Sequence, residues 1–315
     1  MRIVVTGASG FVGREMLRRT ALSGHHTVPL VRHSAGIEEE VIVGDLAEVD
    51  PIVINRAMEG ADAVVHLAAR THVMRDAPDA TEAFRRANVL ATEKVLRAAN
   101  QSAVGRFVFM SSIKVNGEET QPGERFSGED VPKPEDDYGR TKLEAERLVT
   151  NAALSSQTEV VILRPPLVYG PSVGGNFGRL VAAVRRGVPL PFGAIDNLRS
   201  LISVRNLAEA TLRAVEAPVQ GATVVTLCDG EDVSTRGLVL SIGKAIGRPA
   251  HLLPIPPSLM HIAGRLTGRS SEARRLLNNL QVDTSAACKL LSWKPSEQLD
   301  AALTRMFRQG NEGAQ

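Results

Sequence analysis

The first thirteen residues constrain the fold of this chain more than any other segment does. The apolar run Ile3 to Val5 precedes the loop Gly7-Ala8-Ser9-Gly10-Phe11-Val12-Gly13, and a helical pattern then continues to Leu22. Glycine permits a tight turn and a close approach of backbone, and a helix N-terminus attracts pyrophosphate. The spacing is G-x-x-G-x-x-G rather than G-x-G-x-x-G, but strand, loop and helix follow in the required order. We therefore expect the loop residues Gly7, Ser9, Gly10, Phe11, Val12 and Gly13 to bind a dinucleotide.

Short β-branched runs alternate with helical patterns through the first half of the chain. The expected strands cover residues 3–5, 28–31, 41–43, 63–67, 107–110 and 160–163, and the expected helices cover residues 13–22, 52–58, 81–99 and about 136–153. This alternation predicts an α/β fold with a Rossmann-type, doubly wound parallel sheet and right-handed crossovers.

We expect two domains that share one cleft. Residues 1–165 are assigned to the NAD(P)-binding domain, with some later segments returning to it, and residues 166–315 mainly to a small C-terminal α/β subdomain that binds substrate. Glycine and proline cluster from 165 to 193, and the segments 224–227, 238–246 and 276–291 are assigned to the subdomain. Residues 309–315 are expected to form a frayed tail.

The charge balance favours a small-molecule partner. The net charge is only +2, from 37 Lys and Arg against 35 Asp and Glu, and these residues are dispersed along the chain. We expect neither a nucleic-acid partner nor a membrane partner. Cys228 and Cys288 are the only cysteines, and neither has metal-ligand spacing, so we expect no metal site and a reducing, cytoplasmic compartment. No signal peptide or membrane-length apolar run is visible.

Tyr138 and Lys142 stand one helical turn apart, as a Tyr-x-x-x-Lys pair. At this spacing both side chains share a helix face, so the ammonium of Lys142 is expected to lower the pKa of the Tyr138 phenol. A phenol of lowered pKa carries protons at neutral pH. The pair therefore points to hydride-transfer chemistry.

The end of the second strand bears on the choice of cofactor. NAD-preferring sheets carry Asp or Glu there to hold the ribose 2′-hydroxyl, whereas this chain has Arg32, which suits a 2′-phosphate. We therefore expect NAD(P), with NADP(H) favoured over NAD(H). Asp45 closes a later strand, where its carboxylate is expected to accept a hydrogen bond from the adenine amino group; a solvated loop Asp is the alternative.

Five ordered motifs together resemble the extended short-chain dehydrogenase/reductase family. They are the glycine loop, His66-Leu67-Ala68-Ala69, Asn88-Val89, Ser111-Ser112 and Tyr138-x-x-x-Lys142. Within that family the chain is similar to the nucleotide-sugar epimerase/reductase branch, near UDP-glucose 4-epimerase and bacterial 4-ketoreductases of surface-polysaccharide synthesis. The resemblance covers nearly the whole chain.

The resemblance implies roles for individual residues. Tyr138 would exchange a proton at the sugar C4 oxygen, Ser112 would hydrogen-bond that oxygen, and Lys142 would hold the nicotinamide ribose. Ser111 is the second choice for the serine. Asn88 would support the Lys142 network as the fourth catalytic residue. On the cofactor side the resemblance adds four residues, namely Leu46, Leu67, Ala68 and Ala69.

A UDP-sugar is the expected substrate. The resemblance places Asn176 and Phe177 against the nucleotide diphosphate, and it makes Arg199 a phosphate clamp. Arg274 or Arg275 would add a second clamp, with Arg274 preferred. A homodimer is expected by analogy with relatives, through the helix from Thr81 and the helix that holds Tyr138.

The remaining question is which reaction occurs at C4. Sugar 4,6-dehydratases carry an Asp-Glu pair directly after the catalytic hydroxyl residue, where this chain has Ile113 and Lys114, so we expect no dehydration. Arg32, and Leu167 in place of a sugar-site Asn, narrowly favour a 4-ketoreductase of a 4-keto (6-deoxy) UDP-sugar. The alternative is a 4-epimerase of UDP-glucose or UDP-N-acetylglucosamine. More remote alternatives are a non-catalytic dinucleotide sensor and a reductase of non-sugar carbonyls.

Overall fold

The computed structural model describes residues 1–71 and 80–312. Its strands are β1 Arg2–Thr6, β2 His26–Val31, β3 Val41–Ile42, β4 Ala63–His66, β5 Arg106–Met110, β6 Glu159–Arg164, β7 Leu167–Tyr169, β8 Arg199–Ser203, β9 Ala222–Thr226 and β10 Asp232–Val233. Its helices are α1 Phe11–Leu22, α2 Pro51–Met58, α3 Ala80–Arg85, α4 Ala91–Gln101, α5 Asp137–Ser155, α6 Gly175–Arg186, α7 Val204–Glu216, α8 Thr235–Ile246, α9 Pro257–Leu266, α10 Ser270–Leu277, α11 Ser285–Leu290 and α12 Leu299–Glu312.

A parallel sheet of seven strands forms the frame, in the order β3-β2-β1-β4-β5-β6-β9. Alternate side chains of β1 enter opposite cores: Ile3 and Val5 pack on one face, and Val4 packs on the other. Because both faces are covered, the strand is a continuous β-branched run rather than an alternating one. The predicted Rossmann-type, doubly wound α/β fold is confirmed.

The second half of the chain contributes to two sheets. Strands β7, β8 and β10 form a sheet of three strands over their own core, in the order β10-β8-β7. By contrast, α7 packs on α1, and β9 pairs in parallel with β6. The assignment of residues 224–227 to the substrate subdomain was therefore wrong, because a β-branched run does not reveal which sheet will accept it. A domain boundary near residue 165 stays our interpretation.

Two further segments differ from the sequence-based expectation. The segment 81–99 is helical, but it is divided by a π-helical turn, Arg86–Leu90, between α3 and α4. The expected tail at 309–315 was wrong for residues 309–312, because α12 continues to Glu312; residues 313–315 lie outside the described part. Within residues 1–71 and 80–312, no helix is long and apolar enough to cross a membrane.

Candidate active site

The glycine loop is folded so tightly that two of its glycines have no room for a side chain. Gly7 has φ 67°, and a Cβ there would lie 2.8 Å from the backbone N of Ala68. A Cβ on Gly13 would lie 2.2 Å from the carbonyl oxygen of Gly7. The loop therefore packs directly on the 67–69 segment. This close packing is expected if both motifs bind the same dinucleotide.

Backbone donors at the start of α1 suit an anionic group. Gly10 is the N-cap, no described side chain caps the helix there, and the first turn has no acidic residue. Gly10 is exposed and Ser9 half-buried. The uncapped N–H groups of such a helix end attract phosphate. The loop thus fits the pyrophosphate of a dinucleotide, with exposed Ala69 and half-buried Leu67 and Ala68 beside it.

Arg32, Asp45 and Arg86 lie together where the second and third strands end. The Arg86 guanidinium bonds the Asp45 carboxylate with its Nε at 3.2 Å and a terminal nitrogen at 2.9 Å, and Arg32 approaches the same oxygen to 3.8 Å. Burial opposes ionisation of Asp45, but the backbone N–H of Ala47 and the Arg86 guanidinium keep its pKa below the ordinary value. Arg32 is 68% exposed, so it is open to a ligand. Leu46 is buried in the core beside them.

His66 is a buried neutral imidazole in a chain of hydrogen bonds. Thr6 Oγ1 accepts from the Ala68 N–H and lies 2.7 Å from His66 Nδ1, to which it donates because the hydrogen of the imidazole is on Nε2. On the other side, Thr92 donates to the Asn88 carbonyl and accepts from His66 Nε2 over 3.0 Å. These bonds select the tautomer with hydrogen on Nε2. Burial, assisted by the nearby Lys142 charge, lowers the pKa of His66 to about 3.

The Asn88 side chain holds two backbone groups of Arg70 and one side chain in place. Its Oδ1 accepts from the Arg70 N–H at 2.8 Å, and its Nδ2 donates to the Arg70 carbonyl and to Thr141 Oγ1 at 3.1 Å. It therefore reaches Thr141, the neighbour of Lys142 in α5. This geometry agrees with a supporting role towards Lys142, and the place of Asn88 as the fourth catalytic residue stays a prediction.

Lys142 lies beneath the cofactor side of the cleft, almost fully buried. Its Nζ donates to the Met110 carbonyl at 2.9 Å and lies 4.8 Å from the centre of the Phe109 ring. Burial lowers the pKa of Lys142 to about 7, while the negative charge of Glu146 opposes that shift. A buried amine that titrates near neutrality is typical of functional sites.

Ser112 and Tyr138 face each other across the cleft. Ser112 begins a short 3₁₀ turn, Ile113–Val115, and its hydroxyl lies close enough to the half-buried Tyr138 hydroxyl to act on its pKa. Burial and the Asp136 carboxylate raise the pKa of Tyr138, and the Ser112 hydroxyl opposes them. The expected lowering of the phenol pKa by Lys142 is thus not produced by the chain itself. Lys142 is not among the groups that act on the Tyr138 pKa, and its ammonium is bonded to the Met110 carbonyl.

Ser111 belongs to a different, fully buried network, which sequence reasoning missed. Its hydroxyl bonds Glu146, and Glu146 forms a two-pronged ion pair with Arg164 at 2.9 and 2.6 Å. Arg164 also donates to Asn116 Oδ1 at 3.1 Å. Because Ser111 is occupied beneath the strand ends, Ser112 is the serine that reaches the cleft. The (i, i+4) spacing of Lys142 and Glu146 was the available signal for this network.

Ile113 and Lys114 have structural partners here. Ile113 packs in a small core with Cys228, Leu280 and Val282. The Lys114 ammonium bonds Glu118 at 2.9 Å and also contacts Asp136, the N-cap of α5. Neither side chain offers the acid and base that dehydration requires, which supports the expectation that this reaction does not occur.

The expected nucleotide-binding positions divide between surface and core. Asn176 is exposed in the first turn of α6 and accepts from Arg179. Phe177 is buried and stacks on Tyr169 with ring centroids 5.6 Å apart. The Phe177 side chain is therefore part of the core, and the assignment of Phe177 to the substrate site stays a prediction. A lone aromatic residue near a predicted site is equally suited to the core of a small subdomain.

Arg199 and Arg275 share one carboxylate. Arg275 forms a two-pronged bond to Glu118 at 2.9 and 3.0 Å, and Glu118 also acts electrostatically on Arg199, whose guanidinium donates to the Asn278 carbonyl. Burial lowers the pKa of Arg199 to about 10. Burial opposes ionisation of Glu118, but its bonds to Arg275 and Lys114 outweigh that and lower its pKa to about 2. Arg274 points elsewhere, to the exposed Glu135 at 2.7 Å.

Comparisons with known proteins agree with this arrangement. The model of the NAD dependent epimerase/dehydratase family matches residues 3–228. A UDP-glucose 4-epimerase from Vibrio cholerae is 40% identical over 303 residues, which cover 94% of this chain and 92% of that protein. A 2-alkyl-3-oxoalkanoate reductase from Stenotrophomonas maltophilia is 32% identical, covering 79% and 77%. The solved structure of MoeE5 with UDP-glucuronic acid and NAD superimposes with TM-score 0.79 at 26% identity, covering 99% and 100%.

Proposed function

The chain belongs to the NAD dependent epimerase/dehydratase family, and we propose that it is a 4-epimerase of a UDP-hexose or UDP-N-acetylhexosamine that uses NAD. The observation that carries this proposal is the proximity of the Ser112 and Tyr138 hydroxyls, next to the strand end whose Met110 carbonyl holds the buried Lys142. A hydroxyl pair beside an amine suits proton exchange at a carbinol or ketone oxygen. The family relationship establishes an NAD-dependent enzyme of the epimerase and reductase type.

Each residue of the cleft has a task in this proposal. Tyr138 has to act as the phenolate, a form that the chain alone does not favour: the phenolate takes the proton of the C4 hydroxyl, and the phenol returns it after the ketone is reduced on its other face. Ser112 hydrogen-bonds the same oxygen and orients it towards Tyr138. Lys142 holds the ribose of the cofactor, and its position is fixed by the Met110 carbonyl. NAD, when bound, supplies the hydride acceptor and donor.

The substrate diphosphate is assigned to Arg199 with Arg275. Arg199, Arg275 and Lys114 lie around the two carboxylates Glu118 and Asp136, so the cluster carries one more positive than negative charge. Arg274 remains the alternative. Its guanidinium is paired with the exposed Glu135, however, and it is Arg275 whose charge acts on Arg199. Arginine suits diphosphate because its planar fork binds two oxygens at once.

The epimerase proposal reverses our narrow preference for a 4-ketoreductase. The Vibrio relative that matches nearly the whole chain is a UDP-glucose 4-epimerase, and MoeE5 was solved with NAD. Arg32 remains the feature that favours NADP(H), yet its approach to Asp45 gives it a structural partner. The 4-ketoreductase is kept as the second candidate, since Arg32 is still 68% exposed.

One incubation separates the two candidates. Purified protein is given UDP-glucose or UDP-N-acetylglucosamine with no reducing cofactor, and the anomeric protons are followed by NMR. We expect the C4 epimer to appear until equilibrium is reached. A protein that leaves both sugars unchanged, yet consumes one reduced cofactor for each molecule of a 4-keto UDP-sugar, is a reductase. A homodimer is a separate proposal, for which light scattering of the purified protein is the test.

A further inference from the structure

Helix α9 turns its apolar side chains away from the protein. Leu259, Ile262 and Leu266 are 54%, 52% and 82% exposed, whereas Gly264 is buried and lies close to Ala273 of α10. At 100° per residue the three apolar residues fall within about 60° of one another, opposite Gly264. A helix of a globular protein ordinarily turns its apolar stripe inward. This stripe is therefore available to something outside the chain.

The charge around α9 has one sign. From residue 233 to residue 271 the sequence contains no Asp or Glu, and its cations are Arg236, Lys244, Arg248, Arg265 and Arg269. Arg265 and Arg269 are exposed, and neither is ion-paired with a described carboxylate. Lys244, by contrast, is paired with Asp300. The exposed apolar stripe is thus flanked by cations that are not neutralised within the described chain.

This surface borders the mouth of the candidate active site. A groove of about 380 Å³ between α9 and α10 is lined by His261, Arg265, Ser270 and Arg274. Arg274 in turn bonds Glu135, which precedes the Asp136 that caps α5. Whatever covers α9 will therefore lie close to the opening of the cleft.

We propose that α9 docks this protein on an anionic lipid bilayer, with Leu259, Ile262 and Leu266 at headgroup depth and Arg265 and Arg269 on lipid phosphates. A helix of ten residues is about 15 Å long, so it lies in the plane of the interface and does not span the bilayer. The exposed arginines suit the negatively charged phosphates of the lipid, and the apolar side chains beside them suit its acyl region. The inference is independent of the reaction at C4.

Charge complementarity favours lipid over a second copy of the chain. In a two-fold symmetric contact through α9, the same patch faces itself, which brings Arg265 and Arg269 towards their own counterparts. Such a contact gathers like charges, and the sequence has no carboxylate between residues 233 and 271 to neutralise them. The proposal departs from our expectation of no membrane partner, because a balanced total charge conceals a local stretch without carboxylates.

Co-sedimentation with vesicles tests the proposal on the full-length protein. Vesicles of phosphatidylglycerol with phosphatidylcholine are compared with vesicles of phosphatidylcholine alone, at low and at high salt. We expect binding to the anionic vesicles only, weakened by salt. The triple variant Leu259→Gln, Ile262→Gln, Leu266→Gln should lower the partition coefficient by at least about tenfold. The double variant Arg265→Glu, Arg269→Glu should abolish binding to anionic vesicles.

Matched controls keep the result specific to α9. Leu154→Gln changes a leucine that is 81% exposed on α5, and Arg147→Glu changes an exposed arginine of the same helix. Both controls should bind vesicles as the wild type does, and all variants should melt within a few degrees of it, because every changed side chain is exposed. Absence of wild-type binding, or binding that survives the triple variant, overturns the proposal. A concentration-dependent dimer that the triple variant abolishes assigns the stripe to a second copy, and also overturns it.

Discussion

Asn88 Nδ2 donates to Thr141 Oγ1 over 3.1 Å, and this bond joins the π-helical turn to the helix that carries Tyr138 and Lys142. Both residues are buried, so no water replaces the bond if one partner is removed. Through the Asn88 carbonyl and Thr92, the same turn is linked to His66 and then to Thr6, the residue that precedes the glycine loop. Hydrogen bonds therefore fix the position of the helix that carries Tyr138 and Lys142 relative to the strand that carries His66.

The link between Asn88 and Thr141 predicts a loss of kcat rather than of substrate affinity. Asn88→Ala leaves the Arg70 backbone groups and the Thr141 hydroxyl without their partner, and we expect kcat to fall by about tenfold or more with little change in KM. Thr141→Val, which removes only one of these bonds, should have a smaller effect. If the double variant is no worse than Asn88→Ala alone, the two residues act as one unit. Additive losses in kcat would contradict that coupling.

We expect the two tyrosines of the chain to differ in what their removal costs: turnover for Tyr138, and stability for Tyr169. Tyr138→Phe removes the proton carrier, so turnover should fall by about 10²–10⁴-fold while the melting temperature is retained. Tyr169→Phe removes a hydroxyl that donates to buried Asp229 at 2.8 Å, so it should cost about 1–3 kcal/mol of unfolding free energy while kcat is retained. Steady-state kinetics and denaturant unfolding of both variants measure the contrast. Turnover by Tyr138→Phe at the wild-type rate would remove Tyr138 from the mechanism.

The glycine loop predicts that a single methyl group is not tolerated at residue 13. In Gly13→Ala the new Cβ would lie 2.2 Å from the Gly7 carbonyl oxygen, so the loop must shift. We expect at least about tenfold weaker binding of NAD by calorimetry and a loss of about 1–3 kcal/mol in stability. Gly105→Ala is the control, because its Cβ would meet only an ordinary contact at 3.7 Å. Unchanged NAD affinity in Gly13→Ala would show that this loop does not hold the cofactor.

His66 predicts a specific pH dependence of stability. Its pKa is about 3 in the folded chain, below the ordinary 6.5, so between these values the unfolded chain takes up a proton that the folded chain does not. Stability from this group is complete above pH 6.5 and is lost as pH falls. From about pH 7.5 to about pH 5 the loss amounts to about 2 kcal/mol.

The His66→Gln variant isolates that contribution. It should be less stable at every pH, yet its unfolding free energy should fall less steeply between about pH 7.5 and about pH 5 than that of the wild type. His33→Gln, at an exposed strand end, should keep the wild-type slope. Denaturant unfolding at several pH values gives the slopes. Parallel slopes for wild type and His66→Gln would show that His66 is not held neutral in the fold.

The arginines of α10 predict which side chain binds the diphosphate. Arg275→Ala should weaken UDP binding by at least about tenfold, since it removes a guanidinium beside Arg199. Arg274→Ala, which removes an exposed pair with Glu135, should change it by less than about threefold. Titration calorimetry with UDP measures both. The reverse order of effects would return the second clamp to Arg274.

The parts of the fold that followed from the sequence are those with local signals. β1, the glycine loop and α1 are adjacent in the chain, so strand, turn and helix were readable from thirteen residues. The same holds for α5, because its apolar period and its N-cap Asp136 lie within one segment. The partner of β9 was not readable, because nothing within 222–226 encodes its pairing with β6.

The site divides in the same way. The Tyr138 and Lys142 pair was proposed from its short spacing in the chain, and Ser112 was proposed from the family resemblance. The bonds of Glu118 to Arg275 and of Glu146 to Arg164 join residues that only the folded sheet and helices bring together. The Tyr138 pKa was predicted with the wrong sign, because spacing gives proximity but not burial.

The most direct test of the central claim is the fate of deuterium at C4. UDP-glucose labelled with deuterium at that carbon is incubated with the purified protein and an excess of unlabelled NAD, and both sugars are analysed by NMR and mass spectrometry. We predict that UDP-galactose forms and retains the deuterium at C4, with no net gain of reduced nicotinamide, and that Tyr138→Phe forms none. Absence of the epimer, or loss of the label to the added cofactor, would contradict the assignment of this protein as a 4-epimerase.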